Sequence, residues 1–544
     1  MSPTRTPPVA DLPPVPETYL KDDLAESLAR YAARLPEAPA LLAALRNGAP
    51  GAAPRVAVRG LTGSAGGFLA SWLQRETART LLYVVPHGEA FDEARDDLEY
   101  FRGPGETLAF PEPDALPYDP SSPHPGVTAQ RLETLGRLAA GGTGVVLATA
   151  RGLLQRVPRP ARLERAILRL GVGADYDPLK LIERLVFLGY ERLPEVEAVG
   201  HFARRGGILD IYAAGLADPL RLEFDGDTLV SMRRFDAGTQ RSLEQLPAAT
   251  VLPRFEVVIA PEEAEAVAAR LREAGDEKAT GQHLFHDGME RFAGHYDTDL
   301  GTLFDYLPQD TLVVLDDPAL LRERAAELEE LVARGFEEAR AHYPLISPPQ
   351  RLFLPAAALA ERVAAYAGAD WMSAVTAAGD GAAQPAGLIV DCAPAEPMQR
   401  SIERLKNHLA ALGAGGIHAV ILCDNAGQRD RLWELLGETG ATLGVGLVSA
   451  GFTLRGAGLA ILTDHEIFAR YRRRRRRLKR TGGLSLAELS ALKVGDFVVH
   501  EDHGVGIYRG MKRLTLGGQE TDCVEIAYAE KDRLFVPVQQ LALV

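Results

Sequence analysis

Gly60-Leu61-Thr62-Gly63-Ser64-Ala65-Gly66-Gly67 follows a short apolar run (Val56, Ala57, Val58) and precedes a helical pattern carrying Phe68, Leu69, Trp72 and Leu73. Strand, glycine-rich loop and helix start is the layout of a phosphate-binding loop. A working loop of this kind reads GxxxxGK followed by Ser or Thr. Its backbone N–H groups and the helix N-terminus cradle phosphate, the Lys reaches the β- and γ-phosphates, and the hydroxyl holds Mg²⁺. Here the frame survives without that chemistry. Ala65 stands at the second glycine, Gly66 at the lysine and Gly67 at the hydroxyl position. This stretch alone leaves two readings open: a phosphate loop that has lost its function, or a βα turn that never bound phosphate.

The surrounding pattern is α/β. Thr80–Pro86 and Gly144–Thr149 are continuous apolar runs, the mark of parallel strands buried on both faces. Helical segments at Glu89–Phe101 and Gln130–Ala140 alternate with them and with a short strand at Thr107–Phe110, which predicts a doubly wound parallel sheet. Farther on, Thr311–Leu315 is an apolar strand ending in Asp316-Asp317-Pro318-Ala319. A strand ending in an acidic pair has the form of a Walker B segment, whose carboxylates organise Mg²⁺ and water. Beside a loop without lysine, phosphate charge is poorly compensated, and weak or absent ATP hydrolysis is expected.

With 544 residues, about three to five domains are expected. The 60 basic and 74 acidic residues leave a net charge of −14, so any nucleic-acid surface must be local. The three cysteines (Cys392, Cys423, Cys523) lie far apart without metal-ligand spacing, which suits a reducing cytosol. No signal pattern and no apolar run of about 18 residues occur, so a cytoplasmic protein without a membrane partner is expected. The expected organisation is a disordered tail (1–20), an α/β domain in two parts (21–155 and 251–350), and an inserted α+β domain (156–250). A second α/β domain (351–465), a basic linker helix (466–487) and a small SH3- or Tudor-like β-barrel (488–544) complete it.

Three resemblances give these parts a meaning. The Gly-Leu-Thr-Gly-Ser loop, the strand ending at Pro86, the loop Phe110–Tyr118, the helix with Gln130, Arg131 and Leu132 and the strand ending Ala148-Thr149-Ala150 resemble the first domain of the excision-repair protein UvrB. That likeness implies a helicase-type ATPase fold, here degenerate at Gly60, Gly63, Ser64, Ala65, Gly66 and Gly67 and at Asp316 and Asp317. The UvrB-like pattern at the latter place would be Asp-Glu-Ser-His. The insert, with Gly189-Tyr190, Phe202–Tyr212, Phe224–Asp227 and Arg234-Phe235-Asp236, is similar to the UvrB domain that docks on UvrA. The resemblance makes Arg205 the first candidate contact for UvrA, followed by Arg204, Arg192 and Tyr190. Arginine suits such a role because its planar fork pairs bidentately with carboxylates; solvated charges or local ion pairs are the alternative.

Val494–Gly506 (Val-Gly-Asp-Phe-Val-Val-His-x-x-His-Gly-Val-Gly) and Leu534–Leu541 resemble the RNA-polymerase-interacting module shared by CarD proteins and the Mfd family of transcription-repair coupling factors. The likeness implies an edge strand offered to the polymerase β subunit by β-augmentation, with Val499, His500, Glu501, Asp502 and His503 as the contact. His500 and His503 lack further ligands for a metal. The run Arg472, Arg473, Arg474, Arg475, Arg476 and Arg477 reads as a solvated linker, with nucleic-acid contact as the alternative. Asp391, Asp424 and Asp464 end strands without forming a recognisable catalytic set.

The order of parts is that of the transcription-repair coupling factor family, whose members continue with a translocase motor that uses ATP and Mg²⁺ and provides the main contact with DNA. The expectation is therefore an adaptor for UvrA and RNA polymerase, without an active enzyme or a cofactor in these 544 residues. An active UvrB-like ATPase and a CarD-like transcription regulator are the competing functions.

Overall fold

Apolar runs become the strands of one parallel sheet: β1 (Arg55–Arg59), β2 (Leu81–Val85), β3 (Thr107–Phe110) and β4 (Val145–Thr149), joined through helices Ala65–Thr77, Gly88–Arg102 and Pro125–Ala139. β2 and β4 are buried along their whole length, as strands covered on both faces must be. The computed structural model describes residues 21–46, 53–119, 122–276, 284–286, 288–343, 345–372, 387–437, 439–468, 494–500, 504–516, 519–528 and 533–537. The expected tail (1–20) lies outside the described residues.

Between β4 and the return to this sheet come β5 (Leu168–Gly171), β6 (Glu191–Arg192), β7 (His201–Arg205), β8 (Ile208–Ile211), β9 (Leu220–Asp225), β10 (Thr228–Phe235), β11 (Ser242–Gln245) and β12 (Ala248–Val251). β5 and β12 pair antiparallel at the neck of the insert, and the other six form a separate sheet in the order β11-β10-β9-β8-β7-β6. Helix Pro178–Phe187 starts where the Asp177 side chain accepts from the backbone N–H groups of Leu179 and Lys180. The insert therefore has the mixed α and β character expected of it.

The chain then returns to the first sheet as β13 (Leu312–Asp316), β14 (Gly368–Met372) and β15 (Leu388–Ile389), giving the parallel order β15-β1-β14-β13-β2-β4-β3. Two strand assignments change here. Leu388–Ile389, within the range 351–465 expected to form a second α/β domain, pairs with β1. β14, for which no strand was expected, fills the gap between β1 and β13. Val257–Ile259, in the segment between the insert and β13, are buried in the core and form no strand.

The second sheet consists of β16 (Cys392–Pro394), β17 (His418–Cys423), β18 (Thr442–Val445), β19 (Phe452–Leu454) and β20 (Leu459–Thr463), in the order β16-β19-β20-β17-β18. One of its faces does not form a core of its own. Val420, Leu422, Val448, Phe452, Leu454 and Ile461 pack into the same cluster as Phe68, Leu69 and Tyr100 of the first unit. The opposite face of the first sheet shares its core with the insert. Burying apolar area on both sides this way couples the three sheets through continuous packing.

The C-terminal strands β21 (Phe497–His500), β22 (Gly504–Leu516), β23 (Gln519–Ala527) and β24 (Arg533–Pro537) form an antiparallel meander in chain order. A closed barrel is not what the described residues form. Their sheet is open, because β21 and β24 are its outer strands and no pairing joins them. The described part of the expected linker is the end of a short helix, Asp464–Phe468. The arginines 472–477 lie outside the described residues.

Candidate functional site

The glycine loop is built as a βα turn. Gly60 and Gly63 take φ values of +90° and +55°, which only glycine adopts without strain. Ser64 then begins helix Ala65–Thr77. The donors at the helix start are taken up by the chain itself. The backbone N–H of Ser64 donates to the carbonyl oxygen of Ala450 at 3.1 Å, and the Ser64 hydroxyl donates to the same oxygen at 2.8 Å. Ser64 is fully buried. A Cβ at Gly63 would meet the Gly451 carbonyl at 2.6 Å, and one at Gly60 the Val390 carbonyl at 2.5 Å. Gly60 thus serves close approach to the chain that follows β15, and Gly63 close approach to the second unit.

The lysine and hydroxyl positions are closed as well. A Cβ on Gly66 would lie 2.9 Å from the Tyr83 hydroxyl, with Trp371 beyond it, and one on Gly67 would lie 2.8 Å from the Asp97 Cβ. Asp97 is buried and receives the Ser449 backbone N–H at 2.5 Å and the Ser449 hydroxyl at 2.7 Å. Tyr83, Asp97, Trp371 and the Ser449–Gly451 turn were not singled out in the sequence.

Asp316 and Asp317, the acidic pair of β13, divide into separate roles. The Tyr83 hydroxyl donates to Asp316 Oδ2 at 3.2 Å. Burial raises the Asp316 carboxyl to about 6; the hydrogen bond from Tyr83 opposes that rise and the neighbouring Asp317 adds to it. Burial, followed by the charges of Asp316 and Asp97, holds the Tyr83 phenol far above its ordinary value. Asp317, with φ +53°, accepts from the backbone N–H of Leu320 at 3.2 Å and caps helix Pro318–Arg340. One carboxylate belongs to a tyrosine and the other to a helix end.

On the insert, the predicted arginines do not form one cluster. β6 is a two-residue edge strand, and its Arg192 is in register with Phe202 on β7. Side chains alternate along a strand, so Arg192 and Arg204 belong to one face and Arg205 to the other. Arg205 is exposed and donates through Nε and Nη2 to the Pro194 carbonyl at 3.3 and 3.2 Å, with Glu195 at 3.7 Å. Arg204 donates to the Gly206 carbonyl at 3.4 Å. Tyr190 is corrected by the structure. It is buried, its hydroxyl donates to the Leu252 carbonyl at 2.8 Å and it accepts from the Ala214 N–H at 3.1 Å. It braces the insert against its neck and has no face for a partner.

Arg131, quoted above only as part of a motif, is the largest fully buried side chain. It makes a two-pronged pair with Glu256, donates to the Pro111 carbonyl at 2.7 Å and lies 4.0 Å over the Phe110 ring. It ties the Pro-rich loop after β3 to the segment that leaves the insert.

In the C-terminal sheet, Val498, Tyr508, Val524, Ile526 and Val536 form the inner face. The outer face of β21 and β22 is apolar and in water: Phe497 is 75% exposed, Val505 63% and Val499 49%. Val499 pairs with Val505 across the two strands, and β21 is an edge strand. Of the predicted polymerase contact, Val499 and the backbone of His500 are described; Glu501, Asp502 and His503 lie outside the described residues.

Among the described residues, Asp424, Asp464 and His465 are the group whose ligand atoms lie close enough to share an ion, within 4.8 Å of one another. They sit at the C-terminal ends of the neighbouring strands β17 and β20. His465 Nε2 is already 3.0 Å from Asp424 Oδ1, so the contact that exists is an imidazole–carboxylate pair. No described helix is long and apolar enough to cross a membrane.

Fold and sites together define a multidomain α/β protein: a parallel sheet with an inserted mixed sheet, a second α/β sheet and a C-terminal antiparallel sheet, with the Ala450 carbonyl held at the glycine loop. Two family models match: that of the UvrB interaction domain over residues 168–256, and that of the CarD-like/TRCF RID domain over residues 492–544. The chain is 32% identical to the transcription-repair-coupling factor of Myxococcus xanthus, over 91% of this chain and 45% of that protein. Identity to the Escherichia coli (strain K12) factor is 27%, covering 89% of this chain and 44% of the relative. For the Bacillus subtilis (strain 168) factor it is 26%, with the same coverage of 89% and 44%. The chain spans the N-terminal part, about 45%, of the transcription-repair-coupling factors it matches.

Proposed function

We propose that this chain is a two-ended adaptor for transcription-coupled DNA repair. Its insert docks UvrA through Arg205, Arg204 and Arg192, and its C-terminal sheet docks the β subunit of RNA polymerase along β21. The four C-terminal strands are read as the described part of a small SH3- or Tudor-like barrel. The chain turns over no nucleotide and needs no cofactor of its own; the ATP and Mg²⁺ chemistry of the family is placed outside the matched region. The observation that carries this reading is the presence of two partner-type domains in one chain, the UvrB interaction domain at residues 168–256 and the CarD-like/TRCF RID domain at 492–544.

The arginine geometry favours a partner segment that reaches round the end of β7, because Arg205 faces away from Arg192 and Arg204. The test is separate capture of purified UvrA and of the polymerase β subunit by the full chain. Replacing Arg192, Arg204 and Arg205 together by Ala is expected to reduce UvrA binding by about tenfold or more and to leave polymerase binding unchanged. Undiminished UvrA binding would remove this surface from the proposal.

A further inference from the structure

We propose that the glycine loop is a latch between the two α/β sheets, with the Ala450 carbonyl held in the seat that a phosphate oxygen takes in a working loop. A helix N-terminus presents unpaired N–H groups and a positive dipole end, and it attracts whatever acceptor packing brings there. Here the acceptor is a main-chain carbonyl bonded by both the N–H and the hydroxyl of Ser64.

The turn carrying that carbonyl is gripped from both sides. From the first unit, Asp97 takes the N–H and hydroxyl of Ser449 with its two carboxylate oxygens. From the second, Glu466 Oε1 takes the Gly451 N–H at 2.9 Å, while its Oε2 receives the N–H and hydroxyl of Thr463 at 3.1 and 2.8 Å. Phe452, the next residue, enters the shared core, with its ring centroid 5.7 Å from that of Phe68. Close approach is compulsory at the joint, because a side chain at Gly63 would strike the Gly451 carbonyl at 2.6 Å.

The insert emerges from the first sheet, and the C-terminal sheet follows the helix Asp464–Phe468 in sequence. Glu466 of that helix holds the turn. The joint therefore lies, in chain order, between the insert and the C-terminal sheet. The latch does not depend on the docking roles proposed above, since its test uses neither partner.

That test is hydrogen–deuterium exchange on the full chain. Gly63→Val places a Cβ on the turn and strains a positive φ. Amides of residues 448–454 are expected to exchange about tenfold faster or more, with β8 and β9 in the insert within about twofold of wild type. Gly105→Val, at another positive-φ glycine with nothing nearby, is the strain control and should leave 448–454 unchanged. If Gly63→Val is not recovered folded, Ser64→Ala should raise exchange at 448–454 about threefold, and Ser64→Thr should restore it. Wild-type exchange at 448–454 in these variants, or a uniform rise that includes β8 and β9, would overturn the latch. A second arm adds millimolar Mg·ATP to the wild-type chain. Residues 60–66 are expected to gain no protection, and protection there would show that the seat is open and overturn the proposal.

Discussion

The loop after β1 and the edge strand β21 both begin with backbone groups that the local secondary structure leaves unpaired. They end in opposite states. At the loop, the Ser64 N–H finds the Ala450 carbonyl and every approach is closed by Val390, Gly451, Tyr83 and Asp97. At β21, one side pairs with β22 and the other is an edge, beside a surface on which Phe497 and Val505 stand in water. Buried donors were satisfied from within, as they must be where water is excluded. Among the described residues no strand pairs with the outer edge of β21, which leaves hydrogen-bonding capacity beside exposed apolar area. In the proposed function, binding capacity follows unpaired edge groups and exposed apolar area more closely than it follows motif spelling.

The strongest challenge to that contrast is at the open end. Phe497→Asp combined with Val499→Asp should weaken binding to the polymerase β subunit by about tenfold to a hundredfold, the loss expected from removing one or two apolar anchors at an interface. Because both side chains are exposed, the melting temperature should move by no more than about 2 °C. A binding titration beside a thermal melt reads both. Retained affinity would move the contact away from this face.

At the closed end, the corresponding challenge is to put the missing lysine back. Gly66→Lys restores the spelling of a phosphate loop at one position, yet its side chain must displace the Tyr83 hydroxyl and Trp371. The expected result is a loss of about 1–3 kcal/mol in stability from overpacking, with no stabilisation by Mg·ATP. Denaturant melts with and without Mg·ATP decide it. A nucleotide-dependent rise in stability would mean that the seat is blocked by chemistry alone and not by packing.

The sequence made the frame of this region legible and its contents illegible. The loop, β1 to β4 and β13 are where the apolar periods put them, because each strand is a local signal. β14 was missed because its short run, Gly368-Ala369-Asp370-Trp371-Met372, is interrupted by a charge and follows an Ala-rich helix. Its place between β1 and β13 depends on pairings across more than 50 residues on one side and more than 300 on the other. The carbonyl of Ala450 has no residue-type signature, since any amino acid supplies one. Asp97 sits in a charged helical stretch that reads as a solvated face, yet it is buried under Ser449. The Gly-Tyr pair at 189–190 was readable as a motif, but burial of Tyr190 is a property of the packed neck. At the C-terminal end more was legible, because a half-buried antiparallel strand declares its exposed face through alternation.

The smallest expected effect tests how dry the closed seat is. Burial raises the Asp316 carboxyl from an ordinary value near 3.8 to about 6 in the fold. Between those values the folded chain holds a proton that the unfolded chain releases. The contribution of this group is therefore fully present below about pH 4, is lost as pH rises to about 6, and stays lost above that. Asp316→Asn keeps an oxygen to accept from the Tyr83 hydroxyl and removes the charge. The variant should match the wild type at acidic pH and exceed it by roughly 1–2 kcal/mol at pH 7, a figure set below the full shift because Asp316 is partly exposed. Urea midpoints taken from pH 4 to pH 8 measure the difference. Parallel profiles for the two proteins would mean that water or a cation reaches Asp316, and the seat would then be far less closed than the contacts around Gly66 imply.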